Sequence, residues 1–342
     1  MVLRTFTATL NPMLTLFACI AIGFALKKFN ILSKDASSVL SKLQVWVFFP
    51  AICFIPMAKY CTVETLGGNL YNLSFSVIAL FLGMVIAILI SKLFVKQDCY
   101  ERGIYQFSFT FANNGYVGTP IVQALFSDIG LFYYKLATLP ISILMYTWGV
   151  AVLTPKENRG ANPLKRLINA PLIALVFGVV VGLTGLGKVI YSQPSCAFIV
   201  NTLDMLQACM GPNAMIITGI VLASYDLSKM LRKVKFYIAT LIRLIGMPII
   251  VLTVIYGLKE LINAIFGLDI DNKIVFLLFF ATATPFSLNT IIYPNTYNKN
   301  AFVSASMVAI SHVLFVITIP LLYALITLVL GGAPDFSAAG GI

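Results

Sequence analysis

The residues best suited to chemistry lie in FSFTFANNGYVGTPIVQ (Phe107–Gln123). This stretch places two adjacent amides (Asn113, Asn114), two glycines (Gly115, Gly118), Thr119 and Pro120 inside an otherwise apolar run. In hydrocarbon every backbone N–H and C=O needs a partner, so a helix is interrupted only where protein or a water-filled cavity receives the freed groups. A second interruption of the same character holds Thr282, Thr284, Pro285, Ser287, Asn289 and Thr290. Pro285 removes one helical hydrogen bond and frees carbonyls nearby. If the two breaks cross, Asn113 and Asn114 face Asn289 across a small polar volume. Half-helix N-termini there turn partial positive charge inward, which suits a carboxylate. Two readings stand: a substrate site, or a kink with polar helix–helix glue, since Pro, Ser, Thr and Asn also serve in packing.

Other polar residues inside apolar runs carry weaker signals. Gln44 and Gln207 each precede a proline, Pro50 and Pro212, and either line the cavity or pair with backbone. His312 is the sole histidine and titrates in a range that suits proton coupling, although a neutral packed histidine has the same signature. Asp204 is either a proton carrier or a packing residue. Arg243 lies about two turns past Lys235 and is expected to snorkel; otherwise it is the one fixed positive charge available to an anion. There is no HExxH, GxSxG, Walker loop or paired-carboxylate arrangement, and no loop large enough for a nucleotide-binding domain. Six scattered cysteines without CxxC spacing predict neither a disulfide framework nor a metal site, and no cofactor is expected.

The elements that must position these residues are membrane helices. Hydrophobic residues make up 60% of 342 positions and charged residues 10%, with a mean hydropathy of +0.96. Soluble domains carry roughly 25% charged residues. Runs of about 20 apolar residues predict ten spans, near 6–26, 37–58, 70–94, 103–126, 131–153, 167–186, 196–224, 236–257, 273–296 and 301–330. The first is kept as a span, because Lys27 and Lys28 follow it where a signal peptide would have a small-residue cleavage site. Sixteen Lys and Arg fall in loops after the odd-numbered spans. Six (Arg4, Lys59, Lys135, Lys188, Lys259 and Lys273) fall on the opposite side. That bias puts both termini outside. The net charge of +11 is therefore topology information and contact with anionic headgroups, with no nucleic-acid role.

An internal repeat organises the spans. Pro12 to Gly23 has the spacing of Pro171 to Gly182, LSKLQ (Leu40–Gln44) echoes LDMLQ (Leu203–Gln207), and the Asn113 stretch answers Phe279–Thr290. Five spans per half is an odd number, so the second half enters the membrane inverted. Residues 1–160 form the first five-helix repeat and 161–342 the second. Inverted repeats of this kind build alternating-access carriers with the site where broken helices meet.

These residues resemble the auxin efflux carrier family, which holds plant auxin exporters and bacterial malonate and malate permeases. FANNGYVGTP looks like its Asn-x4-Gly-x-Pro signature, matched by Asn113, Gly118 and Pro120. The regions Gly23–Pro50 and Ala283–Ser311, with Leu32, Pro285, Asn289 and Tyr297, are similar to its span 1–2 hairpin and span 9–10 region. The resemblance implies an all-α fold shared with sodium–bile acid symporters, with ten helices in two inverted repeats and broken helices 4 and 9 crossing. Spans 1, 2, 6 and 7 would form a scaffold, and spans 3–5 and 8–10 a transport domain moving as an elevator. The long loop of the plant carriers is reduced here to about Thr154–Leu164. Many bacterial members have a methionine before the proline of span 9, where this chain reads ATATPFSLNT.

The expected function is a secondary carrier or uniporter, and no enzyme, for a small mono- or dicarboxylate or auxin-like acid in the cell membrane. Asn113, Asn114, Thr119, Ser287 and Asn289 would bind the carboxylate, Pro120 and Pro285 would hold the breaks, and Gln44 and Gln207 would line the cavity. Membrane potential or a proton through His312 or Asp204 would drive it. The rivals are a sodium-coupled symporter of the same architecture and a non-transporting membrane receptor. The expected partners are the organic anion, the lipid bilayer and a second copy of the chain in a homodimer.

Overall fold

The computed structural model describes residues 2–33, 35–67, 69–97, 99–155, 170–224, 228, 232–296 and 302–336. Among them there is helix and no strand, apart from one isolated antiparallel bridge, Ala112 to Phe286. The helices in the first half are α1 (Val2–Lys28), α2 (Ala36–Tyr60), α3 (Leu70–Phe94), α4 (Tyr100–Thr110) and α5 (Thr119–Leu144). There follow α6 (Ala170–Leu183), α7 (Leu186–Ser192), α8 (Ala197–Ala223), α9 (Val234–Phe266), α10 (Lys273–Thr282), α11 (Asn289–Thr296) and α12 (Phe302–Val329). Against the ten spans expected, 6 described helical stretches are long and apolar enough to cross a membrane, and 7 if α6 and α7 count as one span. That pair bends by 89°. The bend falls at Thr184–Gly185, where Gly185 has φ +76°, a conformation that costs glycine nothing. From Lys156 on, the short loop expected at Thr154–Leu164 lies outside the described residues, as do Lys34, Arg159, Lys165, Arg166, Lys229, Tyr297 and Lys299.

Two features shape the helices around the breaks. Four single turns widen to π geometry: Gln44–Phe48, Asn114–Gly118, Met145–Gly149 and Ile242–Gly246. Pro50, Pro120 and Pro248 stand at the start of the α-helical segment after three of them. A proline lacks the N–H that would close onto the carbonyl four residues back, and its ring crowds that carbonyl. The preceding turn therefore opens by one residue.

The second feature is a reversal. Helical backbone runs from Thr119 to Leu144, yet Lys135 Nζ donates to Thr119 Oγ1 at 2.9 Å. Sixteen residues of straight helix would set these two about 24 Å apart, so α5 folds back into two arms. The apolar span of the second arm is Asp128–Leu153, and a Cβ on Gly130 would collide with the side chain of Phe126. The turn is thus made near Ser127–Gly130 without a proline.

Close helix contacts rest on glycine. A Cβ on Gly23 of α1 would overlap the Ile216 carbonyl of α8, and one on Gly219 of α8 would overlap the Ile20 carbonyl of α1. Gly178 and Gly182 bring α6 against Phe54, Met57 and Cys61 in the same way. Small residues that let backbones approach are the usual basis of helix packing where lipid competes for the apolar surface. Within the core an aromatic cluster packs Phe126 of α5, Phe276, Phe279 and Phe280 of α10, and Tyr323 of α12, with ring centroids 4.9 to 6.5 Å apart.

Candidate functional site

The two breaks meet. The chain leaves α4 at Phe111–Asn113 and leaves α10 at Ala283–Leu288, and Asn113 N–H donates to Pro285 O at 2.8 Å. Ala112 and Phe286 bridge alongside, and Phe286 N–H is taken up by Ser311 Oγ of α12 at 3.2 Å. Backbone groups freed by one break are thus partly satisfied by the other. Tyr134, on the second arm of α5, donates its hydroxyl to Asn114 O (3.1 Å) and lies 3.4 Å from Phe280 O of α10, tying both sides together. Gly118 leaves room for this hydroxyl, since a Cβ there would collide with it.

Four helix ends converge on this crossing, and they separate by polarity. The N-terminal ends are the turn beginning at Asn114 and the start of α11 at Asn289, and both border a cavity of about 60 Å³. At 10–15 Å³ per water centre, that is room for roughly four to six waters. Asn113, Asn114, Thr119, Ser287 and Asn289 line it together, as the sequence proposes. Asn289 donates from Nδ2 to Met145 Sδ at 3.5 Å and from its backbone to Ser287 Oγ at 3.3 Å. Cys53, Thr138, Ser142 and Tyr146 complete the polar wall, with Phe49, Pro171, Leu172 and Leu175 on the opposing helices.

Lys135 is the residue that sequence reasoning misses. Charge placement puts it among the loop cations, and the structure instead buries it, 5% exposed, at the cavity wall. Its Nζ is held by Thr119 Oγ1, and Thr119 Oγ1 in turn donates to Asn114 O at 3.2 Å. The same Nζ stands 4.9 Å from the centre of the Phe49 ring, a cation–π arrangement. Lys259, also assigned to a loop, is buried in α9 and contacts Asn272 Oδ1 and Glu260, away from the cavity.

The remaining sequence candidates stand outside the cavity lining. Pro120 opens the first arm of α5 and Pro285 supplies the carbonyl that Asn113 uses. Gln44 donates to Met210 O at 3.0 Å and accepts from Asn213 Nδ2 at 2.6 Å, so it fastens α2 to α8. Gln207 is buried in α8. Asp204 is exposed on α8. His312 is 2% exposed; its Nδ1 meets Val308 O at 2.8 Å and its Nε2 meets Asn113 Nδ2 at 3.4 Å. A carbonyl can only accept, so Nδ1 carries the proton and Nε2 accepts from the Asn113 amide. His312 therefore orients Asn113 from behind.

Arg243 does not snorkel. It is 2% exposed and donates from Nη1 to Phe109 O of α4 at 2.9 Å. On the face away from the crossing, Lys59 of α2 pairs with Asp128 at the reversal of α5 at 3.2 Å, partly exposed.

A family model for membrane transport proteins matches residues 8–163 and 160–323. No curated protein matches the chain.

Proposed function

We propose that this chain, which belongs to the membrane transport protein family of auxin efflux carriers, is a secondary carrier or uniporter that moves a small organic anion by alternating access. The observation that carries this reading is the cavity at the two N-terminal ends, where Lys135 and the amides of Asn113, Asn114 and Asn289 converge. Helix N-termini favour anions through unpaired N–H groups and the aligned peptide dipoles. The Lys135 ammonium adds a full charge within a wall that is otherwise apolar or neutral, so a carboxylate is the complementary ligand. The volume suits an acid of malonate size, and an indole-sized acid requires the cavity to widen.

Two inverted five-helix repeats, 1–160 and 161–342, are supported by the glycine contacts. Gly23 and Gly182 occupy matching places in the repeat; Gly23 approaches α8, the second span of the second half, and Gly182 approaches α2, the second span of the first. In this reading α1, α2, α6, α7 and α8 form the scaffold, and the two crossing breaks travel with the transport domain as an elevator. The cavity-wall residues Tyr146, in the π turn after α5, and Pro171 and Leu172 of α6 flank in sequence the loop that charge placement assigns to the cytoplasm. In this reading the open side of the cavity faces inward, in a cell membrane, with both termini outside and the Lys59–Asp128 pair closing the outer face.

Membrane potential suffices as the driving force, at about 2.3 kcal/mol per charge per 100 mV. The test is uptake of labelled malonate into proteoliposomes, with a screen of carboxylates by thermal shift to identify the best ligand. Asn113→Ala protein taking up malonate at the wild-type rate would sink the site assignment.

A further inference from the structure

The C-terminal ends of the crossing face a second, smaller space that the anion cavity does not use. Thr110 closes α4 and Ala281 and Thr282 close α10, and all three border a cavity of about 20 Å³ together with Arg243. Among the described residues, no acidic side chain lines it. The Arg243 side chain enters from the π turn Ile242–Gly246 of α9 and uses only Nη1, on Phe109 O. Nε and Nη2 are buried with no hydrogen-bond partner among the described residues.

A helix C-terminus carries the equivalent of roughly half a negative charge. Two of them meeting at one point sum to about one, and one guanidinium cancels it. Broken-helix carriers that couple to a cation bind it with unwound carbonyls and half-helix C-terminal ends of this kind. Here those ends already have a cation, and it is covalently attached. A buried charge without a carboxylate is otherwise costly enough to be rare within spans, so the carbonyl ends and the guanidinium account for each other.

We propose that Arg243 is a tethered counter-cation for the crossing, standing where a coupling ion would bind, so that the carrier cycles without any alkali cation. Arg243 is a positioning residue: it keeps the two C-terminal ends together while the anion occupies the opposite side. The inference rests on the carrier reading above, and a readout independent of transport separates the two.

The experiment is malonate uptake into proteoliposomes bathed in choline, potassium or sodium chloride at equal ionic strength. Wild-type uptake is expected to agree within about twofold in all three, the scale of one weak contact. Arg243→Gln is expected to lose at least tenfold in choline and to recover in part with sodium or millimolar methylguanidinium, while Arg243→Lys keeps most of the activity. Wild-type uptake that requires sodium, or Arg243→Gln uptake equal to wild type in choline, overturns the proposal.

If wild-type protein moves no malonate in any salt, the malonate reading has failed and thermal melting decides. Methylguanidinium should then raise the melting temperature of Arg243→Ala relative to equal choline and leave wild type unchanged; no difference between the two proteins overturns the proposal. Should Arg243→Ala give no folded protein, Arg243→Lys serves in its place. It must melt within a few degrees of wild type with no response to sodium, and stabilisation by sodium overturns the proposal.

Discussion

The two sides of the crossing are built from the same pair of broken helices and differ in almost everything else. On the N-terminal side the ends of α5 and α11 border about 60 Å³ of space with amides, hydroxyls and Lys135 at the wall. On the C-terminal side the ends of α4 and α10 border about 20 Å³, and Arg243 stands among apolar residues of α3 and α9. The difference follows from the direction of the peptide dipole. Breaking a helix creates one end of each sign, and crossing two breaks gathers like ends with like. On the proposed reading, one side is left ready for an anion from outside the protein, and the other for a cation, which the chain supplies itself.

The largest expected effect comes at the contact where Tyr134 ties the two breaks together. Gly118→Val would drive side-chain atoms into the Tyr134 hydroxyl and toward Phe280 O, 3.1 Å from where a Cβ would stand. Overpacking of this kind costs about 1–3 kcal/mol or more, and the Tyr134 tie between the breaks should be lost, read as a lowered melting temperature together with absent uptake. Lys135→Met is the sharper cut. A hydrogen bond to a charged group is worth about 1.5–3 kcal/mol, so half-saturation for malonate should rise by roughly 10- to 100-fold while the indifference to sodium persists. If Lys135→Met instead created sodium dependence, the two sides would not be separable. Asn289→Ala removes a neutral donor, worth about 0.5–1.5 kcal/mol, and should weaken malonate by roughly 2- to 10-fold. Lys59→Ala should change least, since a partly exposed ion pair contributes at most about 1 kcal/mol; its measure is the melting temperature.

The sequence carries one side of the crossing far better than the other. Asn113, Asn114, Thr119, Ser287 and Asn289 stand out because amides and hydroxyls grouped with Gly and Pro inside an apolar run mark an opened backbone, and the cavity brings all five together. Lys135 is hidden because its partner, Thr119, is sixteen residues away across a reversal that no proline marks. A lysine a few residues inside a span reads as a loop charge, and only the fold turns it inward. Arg243 is hidden for the opposite reason. Its one hydrogen-bond partner among the described residues is the backbone carbonyl of Phe109; Thr110 and Thr282 border the same cavity at helix ends, and helix polarity has no residue type of its own. Gln44 shows a third limit: its repeat position points to a shared role, and its actual partners, Met210 O and Asn213, are fastenings between helices.

The Lys59–Asp128 pair has a consequence for how the molecule responds to its surroundings. It joins α2 to the reversal of α5 across the boundary between parts that would have to slide, and its side chains are 37% and 27% exposed. Mobile ions reach such a pair, and at 0.15 M their screening length is about 8 Å. Dissolved salt of any kind would therefore loosen the strap from one side of the membrane, biasing which way the carrier faces without ever entering its transport cycle.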